Sequence, residues 1–131
     1  GEVSQSPPAL VFDEVDAGIG GEAAERMGAK LTTLADRYQV LCATHLPQIS
    51  AYGTSHHRVP KSVRNGRTTT DVERLDADTR ASEIARMMTG TRVSSSVLES
   101  ARELLITASE ETTKAARHSS PNTKGESERR K

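Results

Sequence analysis

Residues 9–21 read ALVFDEVDAGIGG and pass in quick succession from apolar to acidic to glycine-rich. Ala9 to Phe12 is a continuous apolar run rather than an alternating one, the pattern of a strand covered on both faces, as in a parallel sheet between helices. Asp13 and Glu14 then place two carboxylates at the carboxyl end of that strand, the edge where open α/β sheets bind ligands. Charged groups there are costly unless a positive partner or some chemistry compensates them. A hydrated magnesium ion on nucleotide phosphates suits Asp13, because hard oxygen ligands fit that cation and its charge offsets the acid. Glu14 is then free to orient or deprotonate a water for in-line attack on a terminal phosphate. A plainer reading stands beside this one, in which two acids end a strand and favour the dipole of the next helix.

Working outward, Ala24, Met27, Leu31, Leu34 and Tyr38 recur at helical spacing after Gly21. Gly28 inside that pattern costs about 1 kcal/mol relative to Ala, which a close packing contact would offset. A second apolar run, Val40 to Ala43, follows almost at once and ends at Thr44 and His45. Strand, helix, strand is the expected first unit, with the two strands parallel through a right-handed crossover. Pro47 stops the second strand. Beyond it, His57–Val63 and Thr68–Leu75 flank Asn65-Gly66, a strong two-residue hairpin signal, and the hairpin is expected to extend the sheet. Two helices are expected next. The first carries Ala81, Ile84, Ala85 and Met88 on one face and stops at Gly90; the second starts at a capping box, Ser96-x-x-Glu99, and buries Val97, Leu98, Ala101, Leu104, Leu105 and Ala108. Residues 109–131 have little to bury and are expected to form a disordered polar tail, leaving 1–108 as the folded portion.

With 131 residues the chain has the length of one ordinary domain. Phe12, Tyr38 and Tyr52 are its only aromatic residues, so the core is expected to be small and aliphatic. Eighteen basic and eighteen acidic residues cancel, which excludes a global field that draws in nucleic acid or acidic lipid and leaves only local polyanion contacts. The single cysteine, Cys42, sits among apolar neighbours and suits a reduced, buried thiol. No apolar run approaches the roughly 18 residues of a membrane-spanning helix, and no signal-peptide pattern opens the chain. The expectation is a soluble cytoplasmic protein without a membrane partner.

His45 is expected to emerge on the same sheet edge as the acids, where it can donate to a terminal phosphate and sense its loss. These residues resemble a specific family. LVFDEVDAGIGG is similar to the Walker B strand and D-loop of the SMC branch of the ABC-type ATPases, and VLCATHLPQISAYG to its switch-histidine loop. With EIARMMTG further on, residues 9–108 resemble the bacterial RecN family of SMC-like DNA-break repair ATPases. The resemblance implies an α/β fold, the C-terminal part of a P-loop (ABC-type) ATPase head with parallel strands, a β-hairpin and packed helices. It implies ATP and Mg2+ as cofactors, Asp13 as the residue that holds magnesium through water, Glu14 as the catalytic base and His45 as the catalytic switch residue. Asp16 and Gly18 fall on the D-loop and are assigned to cofactor binding, and Asp16 is expected to link one head to the opposing head of a dimer. Gly18, Gly20 and Gly21 let the backbone turn beside nucleotide and partner. DNA and a second head are the implied partners, with a nucleoid-associated location.

No GxxxxGK[ST] phosphate loop and no Leu-Ser-Gly-Gly signature occur in the sequence, so an N-terminal, phosphate-loop half of the head is a further expected partner, and the isolated chain is expected to be inactive. Two alternatives remain. DEVD with CAT resembles part of a DExD-box helicase, although a helicase continues into a second RecA-like domain. A non-catalytic half-head that only docks to a nucleotide-binding partner is the other. A zinc site of Cys42, His45, His56 and His57 follows no recognised ligand spacing. Arg58, Lys61, Arg64 and Arg67 form a basic cluster around the hairpin; such a cluster can meet DNA phosphates, and the sequence alone favours a solvated edge that discourages strand-to-strand aggregation.

Overall fold

The structure, a computed structural model, describes residues 6–119. Strand β1 (Ala9–Asp13) leads through a glycine-rich turn into helix α1 (Gly21–Ala35), which returns the chain to strand β2 (Gln39–Ala43). The two strands pair parallel, from Ala9 opposite Gln39 to Asp13 opposite Ala43. Helix α1 covers one face of the pair, where Phe12, Val40 and Cys42 pack against Ala24, Leu31 and Ile49. The other face is bare: Val11 and Leu41 lie directly opposite each other in the ladder and are 70% and 62% exposed. Cover on both faces, as the apolar run suggests, is therefore met on one side only among the described residues.

Gly28 explains how α1 tolerates its weakest helix former. Its Cα lies against the ring of Tyr52, so close that a Cβ built there would stand 2.3 Å from Tyr52 Cδ2. Tyr52 reaches that position through a one-turn helix, α2 (Pro47–Ser50), which begins with Pro47 in the first turn, where its missing N–H costs nothing. The Tyr52 hydroxyl donates to Glu111, and burial together with that acid pushes the phenol well above its ordinary pKa.

The hairpin forms at Asn65-Gly66, with φ of +52° and +72° at the two turn residues, the primed geometry that matches strand twist. Its ladder is interrupted. Strands β4 (Lys61–Arg64) and β5 (Arg67–Thr70) make the tip, while β3 (His57–Arg58) and β6 (Glu73–Arg74) make the base. Contrary to expectation the hairpin does not extend the parallel sheet. Among the described residues its strands pair only with one another, and Pro60, which has no amide proton to donate, breaks the ladder between base and tip.

Helix α3 (Ala77–Thr89) starts on a reciprocal capping box of Asp76 and Thr79 and ends at Gly90, whose φ is +88°. Arg80 of α3 donates to the carbonyls of Ser50, Ala51 and Gly53 and so fastens α3 to the C-terminal end of α2. Helix α4 (Ser95–Ser119) packs on α3 around the fully buried Ile84, with Ala85 and Ala101 as small residues that let the backbones approach. Its cap is Ser94, whose hydroxyl accepts from Val97 N, rather than the expected Ser96. The helix also continues past 108. Ala108 is buried against Ala51 and Tyr52, and Glu111 takes the Tyr52 hydroxyl, so the segment 109–119 has tertiary partners that an apolar stripe does not reveal. Residues 120–131 of the expected tail lie outside the described residues.

Candidate functional site

Because β1 and β2 are parallel and end level with each other, the segments that leave them share one edge. From β1 come Asp13, Glu14 and the turn through Asp16 and Gly18; from β2 come Thr44 and His45. The turn is built by two local backbone hydrogen bonds, Ala17 N to Glu14 O and Ile19 N to Asp16 O. It also needs two left-handed residues. Gly18 adopts φ +78° freely, whereas Glu14 holds φ +53°, which costs a residue with a Cβ about 1 kcal/mol or more. Backbone strain of this kind gathers at functional sites when the surroundings enforce it.

The carboxylate that organises the edge is Asp16, whose side chain is only 2% exposed. Its Oδ2 accepts from the Thr44 hydroxyl at 2.5 Å, from the His45 amide at 2.9 Å, and lies 3.0 Å from His45 Nδ1. Burial alone would raise the pKa of this group. The Thr44 hydroxyl, the His45 amide, its own amide and the nearby imidazole outweigh it and hold the carboxyl below the ordinary aspartate value. Asp16 in turn adds to the burial that pushes the Cys42 thiol up, consistent with a reduced, unreactive cysteine. The Thr44 oxygen also accepts from Leu46 N, closing the turn before α2. The imidazole itself is 79% exposed. With Nδ1 committed to Asp16, its Nε2 is the nitrogen left to face a ligand, and the imidazolium form can donate there while keeping Asp16.

Asp13 and Glu14 are exposed, and among the described residues neither side chain makes a hydrogen bond or ion pair. The group that meets His45 is thus Asp16, whose Oδ2 is turned inward and used within the chain, beside the cofactor-binding and opposing-head roles expected of this residue. The sequence reading missed Thr44, and its position immediately before His45 was the available signal. Among the described residues no group of three or more His, Cys, Asp or Glu side chains gathers into a metal cage. A free carboxylate at a strand end still fits magnesium, which keeps several waters and takes further ligands from phosphates. Asp13 meets that requirement and Asp16 does not.

No family model matches the chain. Several curated relatives do. The DNA repair protein RecN of Deinococcus radiodurans is 53% identical over 98 residues, which is 75% of this chain and 17% of that protein. RecN of Xylella fastidiosa is 47% identical over the same share of the chain, and RecN of Bacillus subtilis is 39% identical over 77% of it. The chain spans 17% and 18% of the length of these relatives. Among solved structures, a chain from a study of ATP-driven dimerization and DNA-stimulated activation of SMC ATPases superposes with a TM-score of 0.50 at 18% identity, over 68% of this chain and 52% of that one. That likeness concerns the fold, and it agrees with an α/β segment of a P-loop ATPase head. The identity with RecN, spread across three quarters of the sequence, places this chain in the RecN family, and the SMC ATPase chain shares its fold.

Proposed function

We propose that this segment forms the hydrolytic edge of an ATP-binding, ATP-hydrolysing head in an SMC-like protein of DNA double-strand-break repair and recombination, acting in the cytoplasm on the nucleoid. The observation that carries the reading is the shared edge at which Asp13, Glu14 and His45 leave two parallel strands, tied across by Asp16. Bound Mg-ATP would supply the electrophilic phosphorus and the cation that neutralises its charge. Asp13 would hold the metal, and Glu14, exposed and without a hydrogen-bond partner among the described residues, would orient the attacking water and take its proton. His45 presents Nε2 to the terminal phosphate, and Asp16 and Thr44 are positioning residues that fix the ring. The bare Val11 and Leu41 face fits burial against further polypeptide of the same head, including the half that carries the phosphate loop. A second head and DNA complete the partners.

The exposed sheet face also suits a second reading, a docking half-head whose acids are not used. The two separate on mixing the chain with a RecN N-terminal segment that carries the phosphate loop. Under the catalytic reading Mg-dependent ATP turnover appears, and Asp13→Asn removes it. Turnover that is unaffected by Asp13→Asn would leave only the docking role.

A further inference from the structure

We propose that the tip of the hairpin, Arg64 and Arg67 around the Asn65-Gly66 turn, is a contact site for the phosphate backbone of nucleic acid. The ladder puts Ser62 opposite Thr69 and Arg64 opposite Arg67. Side chains directly opposite in an antiparallel pair share a face, so one face of the ribbon carries Ser62, Arg64, Arg67 and Thr69 and no carboxylate. Two arginines directly opposite each other repel, which destabilises the tip. A polyanion between them turns that cost into attraction.

Arg58, Lys61, Arg64 and Arg67 are not equivalent. Arg58 at the base is taken up by Glu73 at 2.6 Å and by Glu83 of α3 at 3.8 Å, and it fastens the hairpin to the helix. Lys61, Arg64 and Arg67 have no ion pair among the described residues, and all three are exposed. Shielding a strand edge requires one charge and does not require an opposed pair. Guanidinium forks match phosphate oxygens, and the Ser62 and Thr69 hydroxyls beside them, hydrogen-bonded to each other at 2.9 Å, keep that face polar and uncharged between the strands. A two-stranded ribbon is also narrow enough for the major groove of duplex DNA. These features favour a nucleic-acid backbone over an acidic protein surface. The site is separate from the nucleotide edge, and its test does not depend on ATP.

The experiment is fluorescence anisotropy of a short labelled DNA duplex titrated with the full chain at two salt concentrations. Weak, salt-sensitive binding is expected. Arg64→Gln with Arg67→Gln should weaken it about tenfold and flatten the log K against log salt slope by about 1.8, since each lost phosphate contact removes about 0.9. Arg64→Lys with Arg67→Lys should recover most of the binding. Arg102→Gln with Lys114→Gln, the same charge change on exposed positions of α4, should leave it intact, and circular dichroism should show every variant folded. An absence of wild-type binding, an equal loss in the α4 variant, or competition by polyglutamate as effective as unlabelled DNA would overturn the proposal.

Discussion

Asp16 provides the sharpest test of the site's construction. Three donors converge on one oxygen, Oδ2, so Asp16→Asn can keep an acceptor in place while removing the charge, whereas Asp16→Ala removes the acceptor itself. A hydrogen bond to a charged group contributes roughly 1.5–3 kcal/mol and a neutral one about 1 kcal/mol. The imidazole is exposed and can turn to water, so its share is small. The Thr44 hydroxyl and the His45 amide remain. Replacement by Asn is expected to destabilise by about 1–2 kcal/mol and replacement by Ala by about 3 kcal/mol, read as shifts in the urea midpoint at neutral pH. The pH dependence supplies a second readout. The folded carboxyl titrates below its ordinary value of 3.8, so the native state binds fewer protons than the unfolded chain in that window. Its contribution is full above 3.8 and is lost as pH falls through the lower folded value. Glu83 and Asp76, held low by Arg86 and by Thr79 respectively, share the acid-side loss, so Asp16→Asn should shrink that loss without abolishing it. An Asn variant as stable as the wild type, with an unchanged acid limb, would refute the reasoning.

Three further outcomes test the packing. Gly28→Ala gains about 1 kcal/mol of helix propensity but forces Tyr52 from its seat, and overpacking of this kind costs about 1–3 kcal/mol or more, so a net loss in the urea midpoint is expected. Tyr52→Phe should lower stability by about 1 kcal/mol and reduce hydrogen-exchange protection in residues 109–119 of α4, where Glu111 loses its donor. Glu83→Gln weakens the two bonds from Arg86, at 2.9 and 2.6 Å, and the pull on Arg58. Because Glu83 is buried and Arg86 is half exposed, a loss of about 1–2 kcal/mol by thermal unfolding is expected, with the hairpin base loosened first.

The parts of the fold that backbone pattern and turn chemistry determine were readable in advance. The apolar runs ending at Phe12 and Ala43 do form parallel strands, Asn65-Gly66 does make the hairpin turn, and the stripe from Val97 to Ala108 does face the core. What depended on tertiary partners was not. The hairpin's separation from the sheet is a matter of which strand edges meet, and Val63 or Thr68 carries no mark of it. The extension of α4 to Ser119 depends on Tyr52 finding Glu111 and on Ala108 finding Ala51, contacts made across more than fifty positions of sequence. At the site, the shared edge at which Asp13, Glu14 and His45 leave the two strands was legible from residue type and place in the strand. The inward turn of Asp16 was not, because an acid that ligates and an acid that braces a histidine look alike until the neighbours Thr44 and His45 are in place. Helix α2 escaped notice because four residues are too few for a periodic signal.

The central claim is that Glu14 activates water at an edge shared with His45. Its most direct test is single-turnover ATP hydrolysis beside nucleotide binding, in a head reassembled from this chain and a phosphate-loop segment, with and without Glu14→Gln. Loss of a positioned general base should slow turnover about 100-fold or more while Mg-ATP still binds. Hydrolysis at the wild-type rate in the Gln variant would contradict the account.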